Sequence, residues 1–289
     1  MESQENQYRW PKAEAVYPDR PGRSYALKRL RYRLRAFSHR GLIAQFEQFI
    51  NQHPFLVKLL NEHADYSYPL VYRFLDKRFN RKQRFQAICD NLRFLPEKLT
   101  ALSTPIYKTP LSFGVVIPDF EMTLSMTTHQ PMEGYWVLEL WHKPRNELVY
   151  LPTFAKLGES LLISVVQGPN FEGSKEMVKQ LTKTCYGLRP AYLMVETMKA
   201  LTKALGFNQL LGIPQKYQNK SRFIQSSHYV VDYDAIFAES GGQLKDYWEL
   251  PLEIDRNLDD VPSKKRSMYR KRYAMLDDLA KVIEEKLEL

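Results

Sequence analysis

The sequence predicts an α/β fold of the α+β kind: a mixed, mainly antiparallel sheet with an N-terminal helical layer and a C-terminal helix. Three observations predict it. Apolar residues recur at helical spacing through residues 24–103, the period changes to two after the proline-rich stretch 104–118, and a strand–helices–strand unit fills residues 161–213. The regions expected are a flexible arm over 1–23, the helical layer over 24–103, an α/β core over 104–255, and a basic segment with a helix over 256–289.

Residues 1–23 mix Gln, Glu, Pro and Arg without periodicity, which predicts an extended or disordered arm. They contain no apolar core of the kind a secretory signal carries. The next stretch places Leu27, Leu30, Leu34 and Phe37 on one helical face, with Lys28, Arg29, Arg31, Arg33 and Arg35 around the rest. Such a basic amphipathic helix has three readings: its stripe packs on the core, it lies on a membrane surface, or it contacts nucleic acid. Leu42, Phe46, Phe49 and Ile50 make a second helix, and Pro54 suits the start of a third. Tyr66-Ser67-Tyr68-Pro69 interrupts, and helical spacing resumes through Phe74, Phe79, Phe85, Ile88 and Leu92.

Beyond residue 118, Met122, Leu124 and Met126 alternate with polar residues in one strand; residues 135–142 make a second and 148–153 a third. Lys143-Pro144-Arg145-Asn146 fits the hairpin between the last two. On the middle strand Glu139 and His142 fall on opposite faces. The apolar run 161–166 then reads as a buried strand, followed by helices over 174–185 and from Pro190, with Gly206 closing the second and Phe207 packing back on it. Residues 210–213 return as a strand. Asp232-Tyr233-Asp234 opens a short helix ended by Gly241-Gly242, residues 247–250 make a last strand, and a basic stretch leads into a final amphipathic helix.

The chain has 289 residues, a formal net charge of +9 and 13% aromatic residues. That charge predicts contact with something anionic: nucleic acid, acidic lipid or a phosphorylated cofactor. The two cysteines, Cys89 and Cys185, lack ligand spacing and read as buried thiols of a reducing compartment; the six histidines are scattered, so no metal site is expected. No apolar run approaches the ~20 residues that span a bilayer. The expected location is the cytoplasm, with attachment at the periphery of the inner membrane open.

Several pieces together resemble a known family. Gln167-Gly168, Leu181-Thr182-Lys183, Gly187-Leu188-Arg189-Pro190, Asp232-Tyr233-Asp234 with Gly241-Gly242, Leu250-Pro251 and the run 263–270 are similar, in that order, to the VirK/YbjX family of Gram-negative bacteria. Residues 215–231 depart from it, since the family usually carries a histidine and aromatics there. The resemblance implies a role in the cell envelope linked to virulence and to antimicrobial-peptide resistance. The order of elements also resembles the GNAT acyltransferases, in which two splayed strands admit the pantetheine arm of an acyl carrier; the core is therefore expected to be GNAT-like.

That resemblance implies coenzyme A or an acyl carrier protein thioester as cofactor and partner. Glycine breaks before helix starts suit phosphate, so Gln167, Gly168, Gly187 and Arg189 are the candidate carrier-binding residues. Tyr233 is the candidate acid for a leaving thiolate, and Glu139 or His142 the candidate base. Each has a plainer reading: a helix cap and core tyrosine at 232–234, and a surface histidine at 142. The competing function is a non-enzymatic basic protein that binds a membrane surface or RNA.

Overall fold

The computed structural model describes residues 7–22, 24–127, 130–219, 231–259 and 261–287. The N-terminal layer comprises α1 (Ala13–Val16), α2 (Ala26–Ser38), α3 (Arg40–Asn51), α4 (Pro54–Glu62), a 3-10 segment over Ala64–Val71 and α5 (Arg81–Lys98). Pro54 does stand at the first turn of its helix. α5 opens on a reciprocal cap in which Asn80 accepts from the Gln83 N–H and Gln83 accepts from that of Asn80, both at 3.0 Å.

Two expectations for this region fail. Helical spacing across Phe74 and Phe79 does not produce a helix there, because Leu75 takes a left-handed conformation at φ 53° and breaks the run. The stretch expected to be a flexible arm is packed from residue 7 to residue 17. Tyr8 is buried, its hydroxyl donates to Ser67 at 2.8 Å, and its N–H donates to Asn51 at 2.8 Å. Trp10 stacks on Tyr32 with centroids 6.1 Å apart. Aromatic burial, which needs no periodicity, supplies what the polar composition conceals.

The sheet comprises β1 (Leu111–Ile117), β2 (Phe120–Met126), β3 (Trp136–His142), β4 (Glu147–Leu157), β5 (Ser160–Gln167), β6 (Leu210–Gly212), β7 (Gln243–Leu244) and β8 (Trp248–Leu250). The eight strands run in the order β1-β2-β3-β4-β5-β6-β8-β7. Every neighbouring pair is antiparallel except β5 and β6, which pair in parallel from Leu161–Leu210 to Ile163–Gly212. The mixed, mainly antiparallel sheet is thus present, and the turn after β3 is closed by Asn146 in the left-handed region. β1 was hidden in the proline-rich stretch: its register slips at Gly114, which has φ 81°, so no clean alternation marks it.

α6 (Ser174–Thr184) and α7 (Pro190–Ala204) connect β5 to β6, α8 (Tyr233–Glu239) follows, and α9 (Ser263–Lys286) ends the described chain. α7 is buried nearly all round, from Leu193 to Thr202, with Lys199 paired to Glu196 at 2.8 Å within it. Gly206 and Phe207 close it as expected, the Phe207 N–H reaching back to the Thr202 carbonyl at 3.0 Å. Trp136, Phe154, Ile163 and Gly212 lie in line across four strands. Their face receives α5, where Trp136 Nε1 donates to the Asn91 carbonyl at 2.9 Å, and α8, whose Phe237 ring would stand 2.7 Å from a Cβ at Gly212. Gly242 is confined equally: a Cβ there would stand 2.6 Å from the Phe237 carbonyl oxygen.

Side chains stitch the helical layer to the sheet. Asn91 donates to the Lys156 carbonyl at 2.8 Å and accepts from its N–H at 2.7 Å, while Tyr135 donates to the Tyr66 carbonyl at 2.8 Å. The Asp76 carboxylate, wholly buried, accepts a fork from Arg78 and the Tyr247 hydroxyl at 2.9 Å. The Arg78 guanidinium lies 3.7 Å from the Tyr217 ring. One clasp therefore joins the layer to the segment after β6 and to the start of β8.

Candidate functional site

α2 has poor intrinsic support. It carries five basic residues, has no side-chain cap, and has no acidic residue in its first turn to oppose the helix dipole. Its inner face holds it in place. Tyr32, 2% exposed, donates to the Pro11 carbonyl at 2.7 Å and is surrounded by the rings of Trp10, Tyr17 and Tyr68. Arg29 pairs with Asp19 at 2.9 Å, Arg33 pairs with Glu14, and Arg35 lies 3.9 Å from the Tyr72 ring.

With Tyr32 inward, the apolar stripe must point outward, and it does. Leu27, Leu30, Leu34 and Phe37 are 59%, 50%, 62% and 71% exposed. They are four of the seven exposed large hydrophobic residues among those described, so the exposure is concentrated on one helix and not scattered. At 100° per residue Arg31 and Arg33 flank the stripe on its two sides. The Arg31 side chain forms no hydrogen bond or ion pair among the described residues, and Arg40 lies 5.5 Å from the Phe37 ring. The arrangement is an apolar ridge bordered by cations, the form an interfacial helix takes. The reading in which this stripe packs on the core is excluded by its exposure.

The residues expected to serve acyl transfer are not brought together. β4 lies between β3 and the parallel pair, which separates Glu139 and His142 from β5 and β6. Glu139 accepts from Thr123 at 3.1 Å, Ser125 at 3.2 Å and Trp141 Nε1 at 3.3 Å. His142 is buried against Phe120, with ring centroids 5.1 Å apart, so it is not a surface histidine. Tyr233 is buried at the start of α8. Asp232 caps that helix by accepting from the Ala235 N–H at 3.0 Å, and Asp234 accepts from the Gln215 N–H at 3.0 Å and from Trp248 Nε1 at 2.7 Å.

The carrier-binding candidates are engaged elsewhere as well. Gln167 donates to Glu133 at 3.2 Å, and Gly168 lies beneath the Tyr150 ring. The Gly187 N–H, expected to meet a phosphate, donates to the Thr182 carbonyl at 2.8 Å and closes α6. Arg189 donates to Glu239 at 2.5 Å and to the Tyr192 hydroxyl at 2.7 Å. Burial, and then the neighbouring Glu239, push the Tyr192 hydroxyl up to about 12. β5 continues from Ser164 to Gln167 past its last pairing with β6, and Gln218 Nε2 donates to the Ser164 carbonyl there at 3.1 Å. Of the 215–231 loop, in which the sequence departs from the family, residues 220–230 lie outside the described residues.

The buried carboxylates Glu133 and Asp76 escaped the sequence reading, since an acidic residue in a polar stretch carries no periodic signal. The outward face of α2 escaped it for another reason: the stripe is visible, but its direction is set by Trp10 and Tyr32.

The fold and this surface define an α/β protein with one mainly antiparallel sheet and a basic amphipathic helix on its outside. Among the described residues, no helix is long and apolar enough to cross a membrane. The chain belongs to the family described as Protein of unknown function (DUF535), which it matches over residues 21–285. It is similar to an uncharacterized protein of Haemophilus influenzae, 80% identical over 98% of this chain and 97% of the relative. It is also similar to the protein named Membrane protein LapB of Mannheimia haemolytica, 63% identical over 75% of this chain and 96% of that one. The uncharacterized protein YbjX of Escherichia coli is 24% identical over 89% of this chain and 83% of its own length. The expected membership of the VirK/YbjX family is borne out. No solved structure matches the chain significantly, so the GNAT likeness has no support from that side.

Proposed function

We propose that this protein docks reversibly on anionic membrane surfaces through α2, as a peripheral binding protein. The observation that carries the reading is the outward ridge Leu27–Leu30–Leu34–Phe37 with Arg31 and Arg33 at its borders. The spacing of three, four and three residues would also suit a coiled-coil seam with a second copy. Pairing two copies would bring their arginines together at the flanks of the seam, where like charges repel; an acidic bilayer instead complements them. The name carried by the Mannheimia haemolytica relative accords with this reading.

Inserting a half-exposed leucine or phenylalanine contributes about 1 kcal/mol, and each arginine near an acidic bilayer up to about 1 kcal/mol. The sum supports attachment that salt reverses. In vesicle co-sedimentation, the protein should bind phosphatidylglycerol vesicles and not phosphatidylcholine ones. Leu30→Ser with Leu34→Ser should weaken that binding at least tenfold while lowering Tm only slightly, because both side chains are at least half exposed. Equal binding to both vesicle types, or full binding by the double variant, contradicts the reading.

A second reading rests on the strand order. A parallel β5–β6 pair in which β5 outlasts β6, set within an antiparallel sheet, supports an acyltransferase-like activity using coenzyme A or an acyl carrier protein thioester. Its setting would be envelope or lipid modification linked to virulence and antimicrobial-peptide resistance, the role the family resemblance implies. Calorimetric titration with coenzyme A and with acyl carrier protein tests it. Saturable binding that weakens in Arg189→Ala supports it, and no binding to either removes it.

A further inference from the structure

The cations of α9 form a second surface, built on different elements from α2. Residues 263–272 hold six lysines and arginines and no acid, against a net charge of +9 for the whole chain. Two of the six are committed: Arg266 donates to the Val261 carbonyl at 3.0 Å, and Arg272 to the Tyr186 carbonyl at 2.8 Å. The side chains of Lys264, Lys265, Arg270 and Lys271 are exposed and form no hydrogen bond or ion pair among the described residues. The Arg272 bond holds the turn after α6 against this half of α9, and Lys183 in the last turn of α6 is likewise exposed and without an ion pair among the described residues. α9 starts without a side-chain cap, so free N–H groups add to the positive end beside Lys264 and Lys265.

We infer that this surface binds the phosphate backbone of a nucleic acid, without regard to sequence. Three features select that occupant over other polyanions. Among the described residues the exposed large hydrophobic side chain here is Tyr186, at 36%, so the surface has neither the row of anchors that α2 offers a bilayer nor the apolar centre of a stable protein interface. The exposed Ser263 and Ser267 add hydroxyl donors of the kind that meet phosphate oxygens. Tyr269 packs edge-on against Tyr273 at 6.2 Å and under Arg272 at 4.1 Å, so its ring is not a free platform for bases, and recognition is left to the backbone.

Fluorescence anisotropy with a short DNA duplex tests the inference, with the full chain and with a variant carrying Lys264→Gln, Lys265→Gln, Arg270→Gln and Lys271→Gln. The full chain should bind with an affinity that falls steeply with salt. The variant should bind at least tenfold more weakly, with a log–log salt slope reduced by about 3–4, near 0.9 for each lost contact. These side chains are solvent-facing, so Tm should be unchanged. Leu30→Ser with Leu34→Ser should bind the duplex normally, which separates this surface from the membrane reading. No binding by the full chain, equal binding by the quadruple variant, or binding only to acidic vesicles or an acidic protein would each overturn the inference.

Discussion

Cys89 and Cys185 show what burial does to single groups. Burial pushes both thiols from 9.0 up to about 12, and Asp90 adds to the effect at Cys89 while Arg272 opposes it at Cys185. An unfolded thiol ionises near 9, and a native one does so only near 12. Their contribution to stability is therefore complete below pH 9 and is lost as pH rises from 9 to about 12. The buried hydroxyls of Tyr8, Tyr32, Tyr66 and Tyr135 are raised by desolvation and act with the same sign. Tm should be level from neutrality to about pH 9 and fall above it. A thiol reagent should label neither cysteine before unfolding; labelling of the native protein at neutral pH, at the rate of a free thiol, would contradict this.

At the scale of elements, α2 depends on the segment before it. Deleting residues 1–17 removes Trp10, the Pro11 carbonyl and the Glu14 partner of Arg33, and leaves Tyr32 without most of its surroundings. Far-ultraviolet circular dichroism should show a loss of about one helix, with Tm lowered; unchanged helicity would mean that α2 stands alone. The α5 cap is a milder case, and Asn80→Ala should cost about 1 kcal/mol in urea unfolding. These elements also show what the sequence makes legible. β2, β3, β5, α6 and α7 were readable because alternation or helical spacing is a property of the segment itself. β1 was not, since the bulge at Gly114 spoils the period. For the site, a glycine before Pro190 suggested a phosphate cradle, yet nothing in the sequence says that Thr182 takes its N–H. Side-chain direction and hydrogen-bond partners are properties of the tertiary structure, and the function of α2 rests on both.

For the molecule as a whole, the eight-stranded sheet and the layer above it share one continuous core. Tyr66, Asn91 and Asp76 each bond across that boundary. Urea unfolding followed by tryptophan fluorescence and by circular dichroism should therefore give coincident single transitions. Transitions that separate would show the helical layer and the sheet unfolding as independent units.

Phe237 is held between two glycines, with Gly212 beneath its ring and Gly242 against its carbonyl. Gly212 on β6 and the Phe237 ring on α8 occupy one volume, so those two positions cannot drift independently, whereas Gly242 meets backbone that no substitution at 237 removes. A side chain at 212 becomes tolerable only once the residue at 237 is smaller, and the order in which two such substitutions arise decides whether the intermediate folds. Positions 212 and 237 are a small epistatic pair: in any lineage carrying this fold, a side chain at 212 should appear only where the residue at 237 has already become smaller.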